Sequence, residues 1–247
     1  MRNTEQIAVA TVSTPGGQVS YDGDAAIDDV IHAFREAQRA FPREDARHRI
    51  EHCQMVRQDQ LDAIAELGLS PSFFVGHVYY WGDRHRDIFM GPERAAGISA
   101  LHSAIARGIT FTVHDDTPVT PVDPLQLVWV SVNRMTRSNR VLGPEERISP
   151  HQALRAITID AAWQNFEEEY KGSIAPGKLA DFLVLDSNPL ADPQTVETGR
   201  YLANSRLKIS DGYIDLQILG LIRATPEKDF WDSTQNQHNI HRQRPVL

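Results

Sequence analysis

The chain has 247 residues, of which 41% are hydrophobic and 23% are charged, ordinary proportions for a soluble globular protein with a sizeable core. Its net charge of −8 argues against a nucleic-acid partner, because phosphate binding needs a basic face, and no apolar run approaches the roughly 18 residues that span a bilayer. The single cysteine, Cys53, excludes an internal disulfide, and the N-terminus lacks the apolar core of a signal peptide, so we expect a cytoplasmic protein with no membrane partner.

The first part of the chain reads as strands alternating with helices. Helical spacing of apolar residues begins after Asp22 or Asp24, either of which supplies an N-cap, and it ends at Pro42. The predicted elements are a short strand at 7–12, a helix at 27–41, a strand at 48–53, a helix from 58–59 that stops at 68–71, and a strand at 73–75.

The second part continues the alternation. Ser149 is an N-cap followed by proline at the first helical position. The predicted elements are a helix at 92–107, a strand at 109–113, a helix at 124–135 and a helix at 151–163. Strands that alternate with helices favour βα units with parallel strands, and we count about four units, whereas a closed (β/α)8 barrel needs eight.

A glycine- and proline-bounded segment follows at 172–186, with the sequence GSIAPGKLADFLVLD. It predicts a strand at 172–175, a reversal at Pro176 and Gly177, and a buried strand at 182–185, because proline presets φ and glycine tolerates positive φ. Residues 226–247 are largely polar, so we expect a disordered tail.

Polar residues follow three of the predicted strands, at the ends where functional groups of parallel βα folds collect. These residues are His52, His77 and the pair Asp115 and Asp116. Taken singly, each is more often structural, since a lone histidine usually makes hydrogen bonds and an Asp-Asp-Thr-Pro run usually caps a helix. Together, imidazole and carboxylate groups at converging strand ends predict a site for a divalent metal such as zinc.

Five segments stand in a characteristic order: GDAAI (23–27), RHRIEHC (47–53), HVYYWGD (77–83), DTPV (116–119) and the segment at 172–186. In this order they are similar to the YtcJ-like amidohydrolases, over about residues 22–190. The resemblance implies a metal-dependent hydrolase that acts on a carbon–nitrogen bond, other than a peptide bond, of a small-molecule substrate.

The resemblance also implies roles for single residues. His52 matches the metal-binding histidine after barrel strand six, and Asp116 matches the aspartate after strand eight that contacts metal and acts as the general base. Asp115 is the weaker competitor, because the family aspartate stands two places before the proline, as Asp116 does before Pro118.

Three further residues are expected near the substrate. His77 matches a strand-seven position, and the resemblance places it beside the substrate. Tyr80 and Trp81 follow it, and we expect them to give the pocket an aromatic wall, although such residues ordinarily form the apolar cover of a loop.

The sequence also departs from the family. The His-x-His pair expected after strand one and the bridging Lys or Glu after strand four are not found, and Ser20 stands where a ligand histidine is expected. Only His52 and Asp116 remain of the family's metal ligands, whereas catalytic zinc sites usually keep three protein ligands.

We therefore expect an α/β fold: a partial TIM (β/α)8 barrel of about four units, with a remnant of a C-terminal β-sandwich domain. The expected division is a divergent segment (1–20), the partial barrel (21–170), the β-domain remnant (171–225) and the tail (226–247). A half barrel leaves strand edges unpaired, so self-association or a complementing half-barrel chain is expected.

Two other interpretations stand beside the hydrolase. In the first, the chain is a catalytically inactive fragment or subunit that lacks the other half of the barrel. His48 to His52 also fits the His-x-x-Glu-His pattern of a peptidase, but that pattern needs a helix, and the sequence context favours a strand.

Overall fold

The structure is a computed structural model that describes residues 18–185, 188–190 and 201–208; for 18–21, 180, 182–184 and 201–208 it describes the backbone alone. The strands are β1 (Gln18–Tyr21), β2 (Arg49–His52), β3 (Ser70–Phe73), β4 (Thr112–Val113), β5 (Leu179–Leu185) and β6 (Tyr201–Lys208). The helices are α1 (Asp24–Ala40), α2 (Gln58–Glu66), α3 (Gly76–Arg84), α4 (Pro92–Ala96), α5 (Leu101–Ile105), α6 (Pro124–Asn133), α7 (Pro150–Ile157) and α8 (Ile159–Gln164). A π-helical turn (His85–Phe89) extends α3, and a 3-10 turn (Pro144–Glu146) precedes α7.

The first four strands form a parallel sheet in the order β1-β2-β3-β4, with helices in every connection. This confirms the predicted α/β class, and the four parallel strands of the described residues agree with the predicted number of about four units, although β1 itself was not predicted. Ile50, Phe73 and Val113 project from one face into the hydrophobic core. Alternate residues such as Glu51 and Thr112 project from the other face, since side chains of a strand alternate between its faces.

The helix α1 forms where the apolar spacing predicted it. Ile27, Val30 and Ile31 are buried on one face, and burial of each stabilises the fold by about 1.5–3 kcal/mol. The predicted cap is wrong: the N-cap is Gly23, with no side-chain hydrogen bond, and Asp24 lies in the first turn.

Proline inside β3 is unusual, because proline cannot donate to a sheet ladder. The strand was predicted at 73–75 but starts at Ser70, whose N–H donates to His48 O at 2.8 Å. Successive residues of a strand point their backbone groups to opposite neighbours, so Pro71 faces the β4 side, before pairing with β4 begins at Ser72. No ladder hydrogen bond is therefore lost.

The helix predicted at 92–107 is two helices, α4 and α5, because tertiary hydrogen bonds interrupt it at Ser99. Ser99 has φ 49°, its N–H donates to Gln54 O at 2.9 Å, and its carbonyl accepts from Arg134 Nη1 at 3.0 Å. The partners lie far away along the chain, so the local sequence does not reveal the interruption.

The helix predicted at 151–163 is likewise divided, at Thr158, into α7 and α8. Ser149 caps α7 as predicted, and its Oγ accepts from Gln152 N at 3.2 Å. At the end of α8, Gln164 lies against the polar face of the sheet: its Nε2 donates to Ser70 Oγ at 2.7 Å, and its Oε1 accepts from Thr112 Oγ1 at 2.9 Å. The chain's own helix therefore satisfies buried polar groups of that face.

The strand predicted at 172–175, the first of the C-terminal hairpin, is not found. Residues 172–175 form a loop that begins at Gly172 (φ 84°), and the N–H of Leu179 donates to Tyr170 O at 2.7 Å across its base. β5 pairs instead with β6, antiparallel, from Leu179 opposite Lys208.

Some expectations fall outside the described residues, namely the strand at 7–12 and the tail at 226–247. The helix α3 was not predicted, because residues 79–81 were interpreted as a loop cover. Within the part of the chain that the structure describes, no helix has the length and apolarity to cross a bilayer.

Candidate metal centre

Three potential metal ligands meet at the carboxyl ends of β2 and β4. His52 Nε2 lies 3.4 Å from Asp116 Oδ2, and His114 supplies a third donor, with the donor atoms all within 4.8 Å of one another. The three residues are partly buried. A pair of imidazoles and one carboxylate is a donor set suited to zinc or a similar divalent cation.

The backbone turns these side chains towards one point. His52 and Asp116 adopt the left-handed conformation, with φ 65° and 53°; His52 is the last residue of β2, and Asp116 lies shortly after β4. The His114 N–H donates to Phe73 O at 3.1 Å, so His114 continues the β3–β4 ladder past β4. The carboxyl ends of parallel strands lie along one edge, which brings distant residues together.

A carboxylate lies behind His52. Asp22 Oδ1 is 3.0 Å from His52 Nδ1, on the side of the ring away from Asp116. This hydrogen bond raises the pKa of His52. Burial raises the pKa of Asp22, but the contact with His52 and the nearby His77 and His85 together outweigh it and hold the pKa of that carboxyl below its ordinary value.

His114 has its own supporting contacts. Its Nδ1 lies 2.9 Å from Ser72 Oγ and 3.8 Å from Glu51 Oε2, so a proton on Nδ1 faces both oxygens and Nε2 is then unprotonated. The ring stacks on His52 with centroids 5.3 Å apart. Burial, followed by the neighbouring His52, lowers the pKa of His114 to about 4, which favours the neutral form that binds metal.

His77 lies beside this cluster. Its ring is 5.9 Å from that of His52 and 5.6 Å from that of Trp81, and burial lowers its pKa to about 4. Its buried Nδ1 has no hydrogen-bond partner among the described residues. The hydroxyl of Tyr80 is directed away from this cluster, since it donates to Gln126 Oε1 on α6 at 3.0 Å, whereas the Tyr80 ring lies 5.6 Å from that of Trp81.

Asp115 has a structural task. Its Oδ2 accepts from Asp123 N at 3.2 Å, and its carbonyl accepts from the Thr120 hydroxyl, so Asp115 organises the loop before α6. The neighbouring Asp116 is the aspartate directed towards His52.

Sequence reasoning missed two residues of this site. The predicted strand ended at 113 and no role was given to His114, and Asp22 was considered only as a helix cap. The signal for His114 was the spacing His-x-Asp directly after a β-branched strand, which puts imidazole and carboxylate at one strand end. No local signal pointed to Asp22, because its partner is 30 residues away.

The donors line a cleft of about 610 Å³ between the sheet and α8. A second cavity of about 490 Å³ lies at the opposite ends of the strands. Three arginines line this cavity, and two of them are paired with carboxylates: Arg47 with Asp45 and Glu168, and Arg107 with Asp62. The chemistry-bearing groups therefore concentrate in the first cleft.

Comparison with known proteins identifies the family of the chain. The profile of the amidohydrolase family matches residues 15–214. The chain belongs to the amidohydrolase family. Its structural neighbours are amidohydrolases of the TIM-barrel type, in agreement with the parallel βα arrangement.

Three relatives illustrate the match of this amidohydrolase. N-substituted formamide deformylase from Arthrobacter pascens is 29% identical over 168 residues, 68% of this chain and 31% of the relative. Putative amidohydrolase YtcJ from Bacillus subtilis is 30% identical over 181 residues, 69% of this chain and 32% of the relative. An uncharacterized metal-dependent hydrolase from Pyrococcus furiosus superposes with TM-score 0.58 at 29% identity, covering 70% of this chain and 34% of that one. The chain thus spans about a third of the length of these relatives.

Proposed function

We propose that this amidohydrolase is a metal-dependent hydrolase that cleaves a carbon–nitrogen bond, other than a peptide bond, of a small molecule. The observation that carries the proposal is the meeting of His52, His114 and Asp116, with His52 Nε2 and Asp116 Oδ2 3.4 Å apart. Catalytic zinc sites commonly keep three protein ligands and leave further positions open.

The three residues fit the metal that the family implies, both in the chemistry of their donor atoms and in their protonation. Partly buried His114 is held neutral, and the Nδ1 of His52 is occupied by Asp22, so both Nε2 atoms are available as ligands. When bound, a divalent cation such as zinc polarises a carbonyl and lowers the pKa of water from 15.7 to about 7.

The chain's own residues supply the remaining functions. Asp116 accepts the proton of the attacking water and returns it to the leaving nitrogen, as a general base and then a general acid. His77, whose Nδ1 has no described partner, orients the substrate carbonyl, and Trp81 offers an aromatic surface beside it. We place Tyr80 at the outer edge of the same pocket, since its ring is 5.6 Å from that of Trp81.

The architecture belongs to the proposal as well. We propose that 21–170 form part of a TIM barrel, that 171–225 are a remnant of a β-sandwich domain, and that the protein is cytoplasmic. The antiparallel pair β5 and β6 supports the second assignment.

The first experiment measures metal and turnover in the purified chain. We expect a bound divalent metal, loss of activity on chelation, and recovery with zinc. N-substituted formamides are the first substrates to assay, because one relative is a deformylase of such compounds. Failure to bind metal, together with no amine release from a panel of small amides, rejects the proposal for this chain.

The second experiment separates two adjacent carboxylates. Asp116→Asn is expected to reduce kcat by about 10²–10⁴-fold, the range of general acid–base catalysis. Asp115→Asn is the matched control and should retain activity, because an amide oxygen can still accept from Asp123 N. Equal losses in both variants would contradict the assignment of Asp116.

A second candidate function is that of a subunit completed by another half-barrel chain or by a second copy. The observation that favours it is that β1 and β4 are edge strands of the four-stranded sheet in the described residues. Size-exclusion chromatography with light scattering decides between a monomer, which counts against this candidate, and an assembly, which supports it.

A further inference from the structure

We infer that Asp22 is a positioning residue for the metal ligand His52: its carboxylate holds the ring proton on Nδ1 and leaves the Nε2 lone pair for the cation. The part of this inference that concerns metal affinity rests on the proposed function. The part that concerns the ring tautomer does not.

The distances on the two sides of the ring favour this tautomer. Asp22 Oδ1 is 3.0 Å from Nδ1, whereas Asp116 Oδ2 is 3.4 Å from Nε2. A carboxylate only accepts hydrogen bonds, and charge-assisted hydrogen bonds are about 2.7–2.9 Å long, so the shorter contact marks the protonated nitrogen. A proton on Nε2 would instead leave the Nδ1 lone pair facing a carboxylate oxygen.

The surroundings fix Asp22 in place. It stands between the end of β1 and the start of α1, and its backbone carbonyl accepts from Met55 N at 2.9 Å, in the segment that follows His52. The helix does not use its side chain, because the N-cap is Gly23 without a side-chain hydrogen bond. The carboxylate is thus available to His52.

Asp24 provides a natural contrast two residues later. Its carboxylate accepts from Ala25 N at 2.9 Å and from Arg94 Nη2 at 3.1 Å. It therefore carries the same charge near the same helix N-terminus without a described contact to His52. A comparison of Asp22 and Asp24 variants separates tautomer control from helix stabilisation by acidic residues.

The first test is spectroscopic and needs no metal. In the full chain labelled with ¹⁵N-histidine, His52 is assigned with the variant His52→Gln at about pH 9, well above the ordinary imidazole pKa, because the contact with Asp22 raises the pKa of His52. We expect the Nδ1–H tautomer in the wild type, in Asp22→Asn, whose amide oxygen still accepts, and in Asp24→Ala. We expect a shift towards Nε2–H in Asp22→Ala. A wild-type Nε2–H tautomer, or an unchanged tautomer in Asp22→Ala, overturns the inference.

The second test measures zinc affinity by chelator competition. Asp22→Ala is expected to weaken affinity about 10–100-fold, the usual effect of removing the group behind a ligand histidine. Asp22→Asn should lose less, and Asp24→Ala should match the wild type. Equal affinities for Asp22→Ala and Asp24→Ala overturn the positioning role. If the wild type binds no zinc, the proposed function fails, and the tautomer comparison alone supports or overturns the inference.

Discussion

Two regions of the molecule hold an ionisable side chain on a left-handed backbone, and they use it in opposite ways. At the metal centre, His52 and Asp116 have φ 65° and 53°. At the C-terminus of α6, Arg134 has φ 54° and is fully buried. Both positions are strained for residues other than glycine, so tertiary contacts must hold them.

The guanidinium of Arg134 contacts four backbone carbonyl oxygens. Its guanidinium donates to the carbonyls of Leu142, Ser99 and Ile98 at 2.9, 3.0 and 2.8 Å, and it reaches Ala96 O at 3.5 Å. Burial lowers its pKa to about 10. The metal centre differs because donor atoms of His52, His114 and Asp116 converge without saturating one another. Whether the polar atoms can still bind a further partner, more than strain or burial, therefore separates this metal centre from the structural site around Arg134.

The largest expected effect is the loss of stability when the guanidinium of Arg134 is removed. Arg134→Met leaves several buried carbonyls without a donor, and we expect the free energy of unfolding to fall by about 3–5 kcal/mol. Urea denaturation followed by circular dichroism measures it. Arg137→Met, at an exposed position of the same segment, is the control and should change stability by less than about 0.5 kcal/mol. Similar losses in both variants would mean that the carbonyl contacts contribute little.

The next largest effect concerns metal binding at the centre formed by His52, His114 and Asp116. His114→Ala removes one of three ligands, so zinc affinity should fall by more than about 100-fold, beyond the effect of losing a supporting group. Thermal stability without metal should change little, because His114 is only partly buried. His102→Ala removes an exposed histidine and serves as control. Isothermal titration calorimetry gives both affinities, and unaltered binding by His114→Ala would exclude His114 as a ligand.

The smallest effect concerns the stability that the hydrogen bonds of the Asp83 carboxylate contribute. Asp83 Oδ1 accepts from Thr136 Oγ1 at 2.9 Å and from Ser138 Oγ at 2.7 Å, and Arg140 Nε donates to it at 2.8 Å. Asp83→Asn should cost about 1–2 kcal/mol at pH 7, because hydrogen bonds to a charged group are replaced by weaker ones.

The pH dependence of this effect follows from its pKa. Burial raises the pKa of Asp83, but the hydrogen bonds that it accepts outweigh burial and hold the pKa below its ordinary value of 3.8. A carboxyl with a lowered pKa stabilises the fold above the ordinary pKa, and the contribution is lost as the pH falls through the folded-state value. The difference between wild type and Asp83→Asn in urea denaturation should therefore shrink at acidic pH. A pH-independent difference would argue against an ionised Asp83.

Much of the fold could be predicted because local patterns and the final packing agree. The apolar spacing of Ile27, Val30 and Ile31 is also the face that α1 buries, and Ser149 caps α7 by contacts within three residues. The helices at 92–107 and 151–163 were predicted too long. Ser99 is held by Gln54 and Arg134, and long-range partners of this kind are invisible to local periodicity.

The candidate site could be predicted in part for the same reason. His52 and Asp116 stand at the ends of strands that the pattern revealed, and the resemblance to amidohydrolases singled them out. His114 needed the ladder that carries it past β4, and Asp22 needed the pairing of β1 with β2. The roles of His77, Tyr80 and Trp81 in substrate binding remain predictions, although the structure puts the His77 ring beside that of the donor His52 and the Trp81 ring beside that of His77.

The sequence by itself determined the alternation of strands and helices, the family and the strand ends where chemistry gathers, because these depend on periodicity and short motifs. Only the tertiary structure decided which side chains meet. The convergence of His52, His114 and Asp116 and the position of the Asp22 carboxylate behind His52 depend on sheet register and left-handed backbone turns, which bring together groups that lie far apart along the chain.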